Sequence, residues 1–206
     1  MKRVAFDIGN VLFHVDLNTF VEDTVKYGLY QDREKAQSFM DGIQAAQDLG
    51  LYDIRQAITK FHPNVSSFIA NQLEASWVST VQPCEAMLQL IHELLDDDWQ
   101  VALLSNIGYD HRDDVKRRVS KRLWDSCLHH FSCEVGARKP SKLFFQSFYM
   151  EHSWKDTEKT CFFDDREENV LACKDYLRGV QFNLDDFYNG EAAAQDLKDF
   201  LLKTQV

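Results

Sequence analysis

Arg3-Val4-Ala5-Phe6-Asp7-Ile8-Gly9-Asn10-Val11-Leu12 is the stretch on which the fold turns. Arg3–Phe6 reads as a short β-strand, and Asp7 stands directly at its carboxyl end. Three later segments repeat the arrangement, each polar and each beyond a short apolar run: Leu104-Ser105-Asn106, Gly136-Ala137-Arg138-Lys139-Pro140 and Phe163-Asp164-Asp165-Arg166-Glu167-Glu168-Asn169. β-rich runs at Arg3–Phe6, Gln100–Leu104, Phe131–Val135, Thr160–Phe163 and Gly179–Phe182 alternate with helical patterns, which predicts an α/β fold around a parallel sheet. Leu103-Leu104 and Phe162-Phe163 read as buried on both faces, as central parallel strands are. Open sheets of this kind bind ligands beyond the carboxyl ends of their strands, where strand order reverses. The four segments should therefore converge on one crevice.

The helical patterns cover Glu85–Leu95, Asp110–Trp124, Ser141–Glu151, Arg166–Leu177 and Glu191–Leu202. In the first, Met87, Leu90, Ile91, Leu94 and Leu95 form one apolar stripe. Ser141, just after Pro140, reads as a helix cap. Residues 15 to 83 break the alternation, with helical periodicity and no clear strand. A crossover helix needs only about a dozen residues, so this segment reads as an inserted helical subdomain. Phe61-His62-Pro63 divides it, and Val81-Gln82-Pro83 returns the chain to the core. The expected division is a core of residues 1–14 and 84–206 with a helical unit at 15–83.

Composition narrows the class. The chain has 206 residues, 45% hydrophobic and 27% charged, which excludes a disordered, collagen-like or small disulfide-built protein. No apolar run approaches the ~20 residues of a membrane helix, and Asp7 interrupts any signal-peptide core, so a cytoplasmic location is expected. A formal charge of −10 disfavours nucleic acid and anionic membrane as partners; the oligomeric state is left open. The basic stretch Lys116, Arg117, Arg118, Lys121 and Arg122 lies beside Asp113 and Asp114 and reads as a solvated helix face. The five cysteines include no Cys-x-x-Cys pair and read as reduced, buried thiols. Cys127-Leu128-His129-His130-Phe131-Ser132-Cys133 lacks tight metal-ligand spacing and reads as a helix end running into a strand. His92, His111 and His152 carry no signal singly.

Electrostatics selects a chemistry for the crevice. Asp7, Asp164 and Asp165 bring three negative charges if all are ionised, and Lys139 returns one positive charge. Crowded carboxylates repel unless a cation intervenes. Mg²⁺ would neutralise the remainder, and it takes oxygen ligands with substrate phosphate often among them. An aspartate could then attack phosphorus and form an acyl-phosphate, with Lys139, Ser105 and the metal stabilising the spread charge.

These four segments, in this order, resemble the motifs of the haloacid dehalogenase superfamily, over residues 1–14 and about 84–206. The resemblance implies a Rossmann-like parallel sheet of order 3-2-1-4-5 with an inserted α-helical cap. It implies Asp7 as nucleophile and metal ligand, the Gly9 carbonyl as a second ligand, and Ser105 on the phosphoryl oxygen with Asn106 beside it. Lys139 would neutralise the nucleophile. Asp165 would ligate the metal, with Asp164 a second or water-bridged ligand, and Asn169 would brace the last loop. Most phosphatases of the superfamily carry a second Asp, a general acid, where this chain has Gly9. The run Phe6-Asp7-Ile8-Gly9-Asn10-Val11-Leu12-Phe13-His14-Val15-Asp16 resembles a subgroup containing bacterial sugar-1-phosphate phosphatases, which shares that glycine and an Asp aligned with Asp16. His14 or Asp16 could stand on the substrate side and move the proton; Asp16 could equally cap the next helix. Asp48-Leu49-Gly50 resembles the subgroup's pocket-facing turn, with Leu49 where Arg is common. The implied activity is Mg²⁺-dependent hydrolysis of a small phosphorylated metabolite, such as a sugar phosphate. The alternatives are a metal-independent 2-haloacid dehalogenase and a catalytically weak or inactive relative that acts by binding.

Overall fold

The computed structural model describes residues 2–154 and 160–204. In chain order the elements are β1 (Arg3–Phe6), β2 (Phe13–Val15), α1 (Asn18–Lys26), α2 (Arg33–Gln47), α3 (Ile54–Phe61), α4 (Ser67–Ser79), β3 (Val81–Pro83), α5 (Glu85–Asp96) and β4 (Gln100–Ser105). There follow α6 (Tyr109–Arg118), α7 (Lys121–Ser126), β5 (Leu128–Phe131), α8 (Ser132–Val135), α9 (Lys142–His152), β6 (Cys161–Asp164), α10 (Glu167–Ala172), β7 (Arg178–Gln181), a 3₁₀ turn (Leu184–Asp186) and α11 (Gly190–Lys203).

Five strands form a parallel sheet in the order β5-β4-β1-β6-β7, the 3-2-1-4-5 arrangement expected of the core strands. Strand order reverses between β1 and β6, where Phe6 pairs with Phe163. Apolar layers cover both faces. Phe6, Val101, Leu103, Phe131 and Phe163 pack on one side against α5 and α11. Ala5, Ala102, Leu104 and Phe162 pack on the other against Phe144, Phe145 and Phe148 of α9. Residues on adjacent positions of one strand thus reach opposite layers, which is why these strands read as continuous apolar runs. Among the described residues no helix is long and apolar enough to cross a membrane.

Helices α1 to α4 have an apolar core of their own, built from Phe20, Phe39, Ile43, Ile58, Leu73 and Trp77. The starts of α2, α3 and α4 are capped: Asp32, Asp53 and Ser66 accept from backbone N–H groups, and Asp53 with Gln56 forms a full capping box. The antiparallel pair β2–β3 carries the chain out of the sheet and back. The helical unit touches the core closely at Gly50, whose φ of +70° favours glycine and whose missing Cβ would lie 2.4 Å from the Cys133 carbonyl.

Two sequence expectations need correction. The strand expected at Phe131–Val135 lies at Leu128–Phe131, and Ser132–Val135 is a helical turn. Two histidines hid the true strand. His129 packs on Trp124 and His130 on Phe144, so imidazoles occupy positions where apolar residues were sought. The helix expected over Asp110–Trp124 is broken at Ser120, whose hydroxyl caps α7 by accepting from Leu123 N–H. On these helices Arg117 and Arg118 pair with Asp114, and Arg122 with Asp96, so the basic face is largely neutralised.

Candidate active site

The four strand-end segments meet in a cavity of about 390 Å³. Asp7 closes β1, with its main-chain N–H donating to the Phe163 carbonyl at 2.8 Å. Its carboxyl Oδ1 accepts from Ile8 N–H at 2.7 Å and pairs with Lys139 Nζ at 3.0 Å, which leaves Oδ2 outside these contacts. Lys139 Nζ also donates to Asp164 Oδ2 at 2.7 Å and to the Leu104 carbonyl at 2.8 Å. An ammonium has three donors, so this buried lysine is saturated. It is a fixed positive charge beneath the floor of the site.

Asp164 is just as fully engaged. Its Oδ1 accepts from Arg166 N–H at 2.9 Å and from Asn169 Nδ2 at 2.8 Å, and its Oδ2 takes Lys139. It has no exposed surface, whereas Asp7 and Asp165 both line the cavity. Asp165 Oδ2 accepts only a 3.2 Å hydrogen bond from Asn10 Nδ2. The structure thus separates the paired acids: Asp165 offers its carboxylate to the cavity, and Asp164 positions Lys139 and the β6 loop.

Burial pushes the Asp7 carboxyl up to about 7, and neighbouring Asp164 adds to this, against the pull of Lys139 and Ser105. For Lys139, burial alone would depress the ammonium; Asp7 and Asp164 outweigh it and hold the group above its ordinary value. Asp165 is raised mainly by burial. Asp7, Asp164 and Asp165 place a ligand atom each within 4.8 Å of one another. A protein cation already engages two of them, and the nucleophile candidate still tends to protonate near neutrality. This oxygen-rich group, short of positive charge, fits a hard dication such as Mg²⁺, with Asp7 and Asp165 best placed to hold it. Gly9 also lines the cavity.

The other expected residues divide. Ser105 lines the cavity beside Asp7. Asn106 also lines it, and its amide bonds Lys139: Nδ2 donates to the Lys139 carbonyl at 2.9 Å and Oδ1 accepts from its N–H at 2.8 Å. It positions the lysine backbone, and its second N–H remains outside these two bonds. His14 and Asp16 do not line the cavity. His14 Nδ1 pairs with Asp185 at 2.8 Å in an exposed contact. Asp16, one residue before Leu17 at the start of α1, accepts from Asn18 N–H and Thr19 Oγ1.

Of the other wall residues, Asp48 stands in the turn that the resemblance placed toward the pocket, whereas Asn10 and His111 were given no role from sequence. Asn10 has a φ of +52°, tolerable for asparagine, and its side chain ties Asp165 to Val15 N–H. An asparagine following glycine in a strand-end turn was the available signal. Asp48 lies 2.8 Å from Arg138, a contact between the helical unit and the α8–α9 loop. Burial pushes its carboxyl up to about 6 despite that arginine. His111 reaches the wall from α6; its Nε2 donates to the Trp77 carbonyl at 2.8 Å, and burial lowers its basicity.

Neither protein-family models nor curated proteins provide a match to the sequence. Solved structures do. An enzyme of the haloacid dehalogenase (HAD) family from Bacteroides thetaiotaomicron, in complex with magnesium and inorganic phosphate, superposes with a TM-score of 0.77 at 24% identity, covering 91% of this chain and 97% of that one. A HAD-like hydrolase from Porphyromonas gingivalis gives 0.78 at 18% identity, covering 98% of both chains. A HAD phosphatase from Thermococcus onnurineus gives 0.67 at 16%, again covering 98% of both. With the reversed strand order at β1 and β6 and the helical unit between β1 and β4, the chain has the fold of the haloacid dehalogenase-like enzymes.

Proposed function

We propose that this chain is a Mg²⁺-dependent phosphomonoesterase of the haloacid dehalogenase superfamily, hydrolysing a small phosphorylated metabolite through a phosphoryl-aspartate on Asp7. One observation carries the reading: Lys139 Nζ bridges Asp7 and Asp164 beneath a cavity into which Asp7 and Asp165 both open. Bound among those carboxylates, magnesium would supply charge neutralisation at the phosphoryl oxygens.

The chain's own residues perform the rest. Ile8 N–H and Lys139 hold Asp7 Oδ1 and favour the ionised carboxylate. The other oxygen attacks phosphorus, the P–O ester bond breaks, and its electron pair leaves with the alcohol oxygen. Ser105 donates to a phosphoryl oxygen. Water then attacks the phosphoryl group on Asp7, freeing inorganic phosphate and restoring the carboxylate. Gly9 has no side chain to protonate the leaving alcohol. Asp48, on the wall and with a carboxyl at about 6, holds a proton closer to neutrality than an ordinary aspartate. The missing acid also favours esters with a good leaving group, such as anomeric sugar phosphates. Helices α1 to α4 form the lid that restricts what enters.

The test is a phosphate-release screen over sugar phosphates, nucleotides and acyl phosphates, with Mg²⁺ or a chelator. Metal-dependent release by the native protein, abolished in Asp7→Asn, is the expected result. Halide release from a haloacid that a chelator leaves unchanged would replace this reading with a dehalogenase. Metal binding without turnover of any ester would leave a binding protein.

A further inference from the structure

A second group of metal-binding side chains comes together away from the cavity. His130 on β5 and Glu151-His152 at the end of α9 place a ligand atom each within 4.8 Å of one another, and none of the three lines the cavity. His130 is buried at 1% exposure. Its Nε2 lies 3.0 Å from the Phe144 carbonyl and 3.0 Å from Ser147 Oγ. A carbonyl only accepts, so Nε2 carries a proton and Nδ1 of the neutral ring is a lone pair. Nδ1 has no hydrogen-bond partner among the described residues and faces Glu151 Oε2 at 3.4 Å. His152 Nε2 is likewise without a partner among the described residues and lies 3.7 Å from the same oxygen. The His130 Nδ1 lone pair facing a carboxylate is repulsive, and a cation between them removes the conflict.

We propose that His130 Nδ1, the Glu151 carboxylate and His152 Nε2 form a binding site for a zinc-class divalent cation. Two imidazoles and a carboxylate, with a fourth position open to water, are a donor set that zinc accepts. Ligand atoms on a tetrahedral ion with bonds of about 2.0–2.1 Å stand about 3.4 Å apart, close to the 3.4 and 3.7 Å observed. The His130 ring is already oriented as a ligand. Its far nitrogen donates to a backbone carbonyl, as metal-bound histidines do, and Phe144 and Phe148 pack edge-on against it. Glu151 is 58% exposed along its side chain, so an ion can enter from solvent. Nitrogen donors here and oxygen donors at Asp7 and Asp165 would sort zinc from magnesium. This assignment is independent of the reaction proposed above.

The experiment titrates zinc chloride into the full chain with Mg²⁺ in excess, read by calorimetry and by imidazole ¹⁵N resonances. The expected result is one equivalent of zinc, with His130 Nδ1 and His152 Nε2 shifted. Glu151→Gln and His152→Ala should each weaken that binding by at least about 100-fold, beyond the 10–100-fold typical of losing an outer partner, with circular dichroism unchanged. Zinc affinity unaltered in both variants, or zinc uptake abolished by Asp165→Asn instead, would overturn the assignment. So would imidazole resonances that respond to pH but not to zinc, since a protonated His130 paired with Glu151 then fills the role of the cation.

Discussion

Replacing Asp7 by Asn should destroy activity and, in the absence of metal, make the protein more stable above neutral pH. Asp7 is 7% exposed, and its carboxyl stands at about 7 in the folded chain against an ordinary 3.8. The folded state therefore binds this proton more tightly than the unfolded state. Stability from the group is full below pH 3.8 and declines as the pH rises toward 7. A tenfold change in acidity corresponds to about 1.4 kcal/mol, so the whole decline is about 4 kcal/mol. Asparagine never ionises and escapes it, while Lys139 keeps Asp164 as its partner. Urea unfolding in a chelator should show Asp7→Asn more stable than the native chain by up to ~4 kcal/mol at pH 8, with little difference at pH 4. Saturating Mg²⁺ should narrow the gap by stabilising the native carboxylate. A variant no more stable at pH 8, or a gap that does not vary with pH, would refute the account of Asp7 as a carboxylate held against its own burial.

Lys139→Met removes the buried cation from between Asp7 and Asp164, which should cost about 3–5 kcal/mol at pH 8 and recover partly at pH 5 as the carboxyls protonate; urea midpoints at the two pH values check this. Gly50→Ala must place a Cβ where 2.4 Å separates it from the Cys133 carbonyl, at a φ of +70°. Thermal melting should show a loss of at least about 1–3 kcal/mol. Burial pushes the Cys127, Cys133 and Cys173 thiols up to about 12. Mass spectrometry should find them unmodified by iodoacetamide in native protein at pH 8 and alkylated once urea unfolds it.

The legible parts of this protein are those that one short stretch reports by itself. Phe6-Asp7 and Phe163-Asp164-Asp165 show strand ends meeting acids without reference to the rest of the chain. The helical periodicity running through residues 15 to 83, interrupted at Phe61-His62-Pro63, reads as an inserted unit in the same way. The misreadings are places where a distant partner overrides local pattern. β5 is a strand because β4 pairs with it in register, Ala102 with Leu128 through Ser105 with Phe131, though its sequence is Leu-His-His-Phe. Asp16 and His14 lie near Asp7 in sequence, but β2 leads both out of the cavity, one to a helix start and the other to Asp185. Asn106 sits beside Ser105, yet its amide is committed to Lys139, 33 positions away.

Sequence alone determined the alternation of strands with helices and the set of acids with one lysine at the strand ends, which follow from binary patterning acting locally along the backbone. The 3-2-1-4-5 order and its reversal between the first and fourth core strands came from the family resemblance. Only the tertiary structure decided which acid opens to the cavity and which is spent on Lys139, and that His130 faces Glu151 and His152 rather than the neighbouring thiols. Those outcomes depend on side-chain direction, and direction is set by packing and hydrogen-bond saturation among residues tens to more than a hundred positions apart.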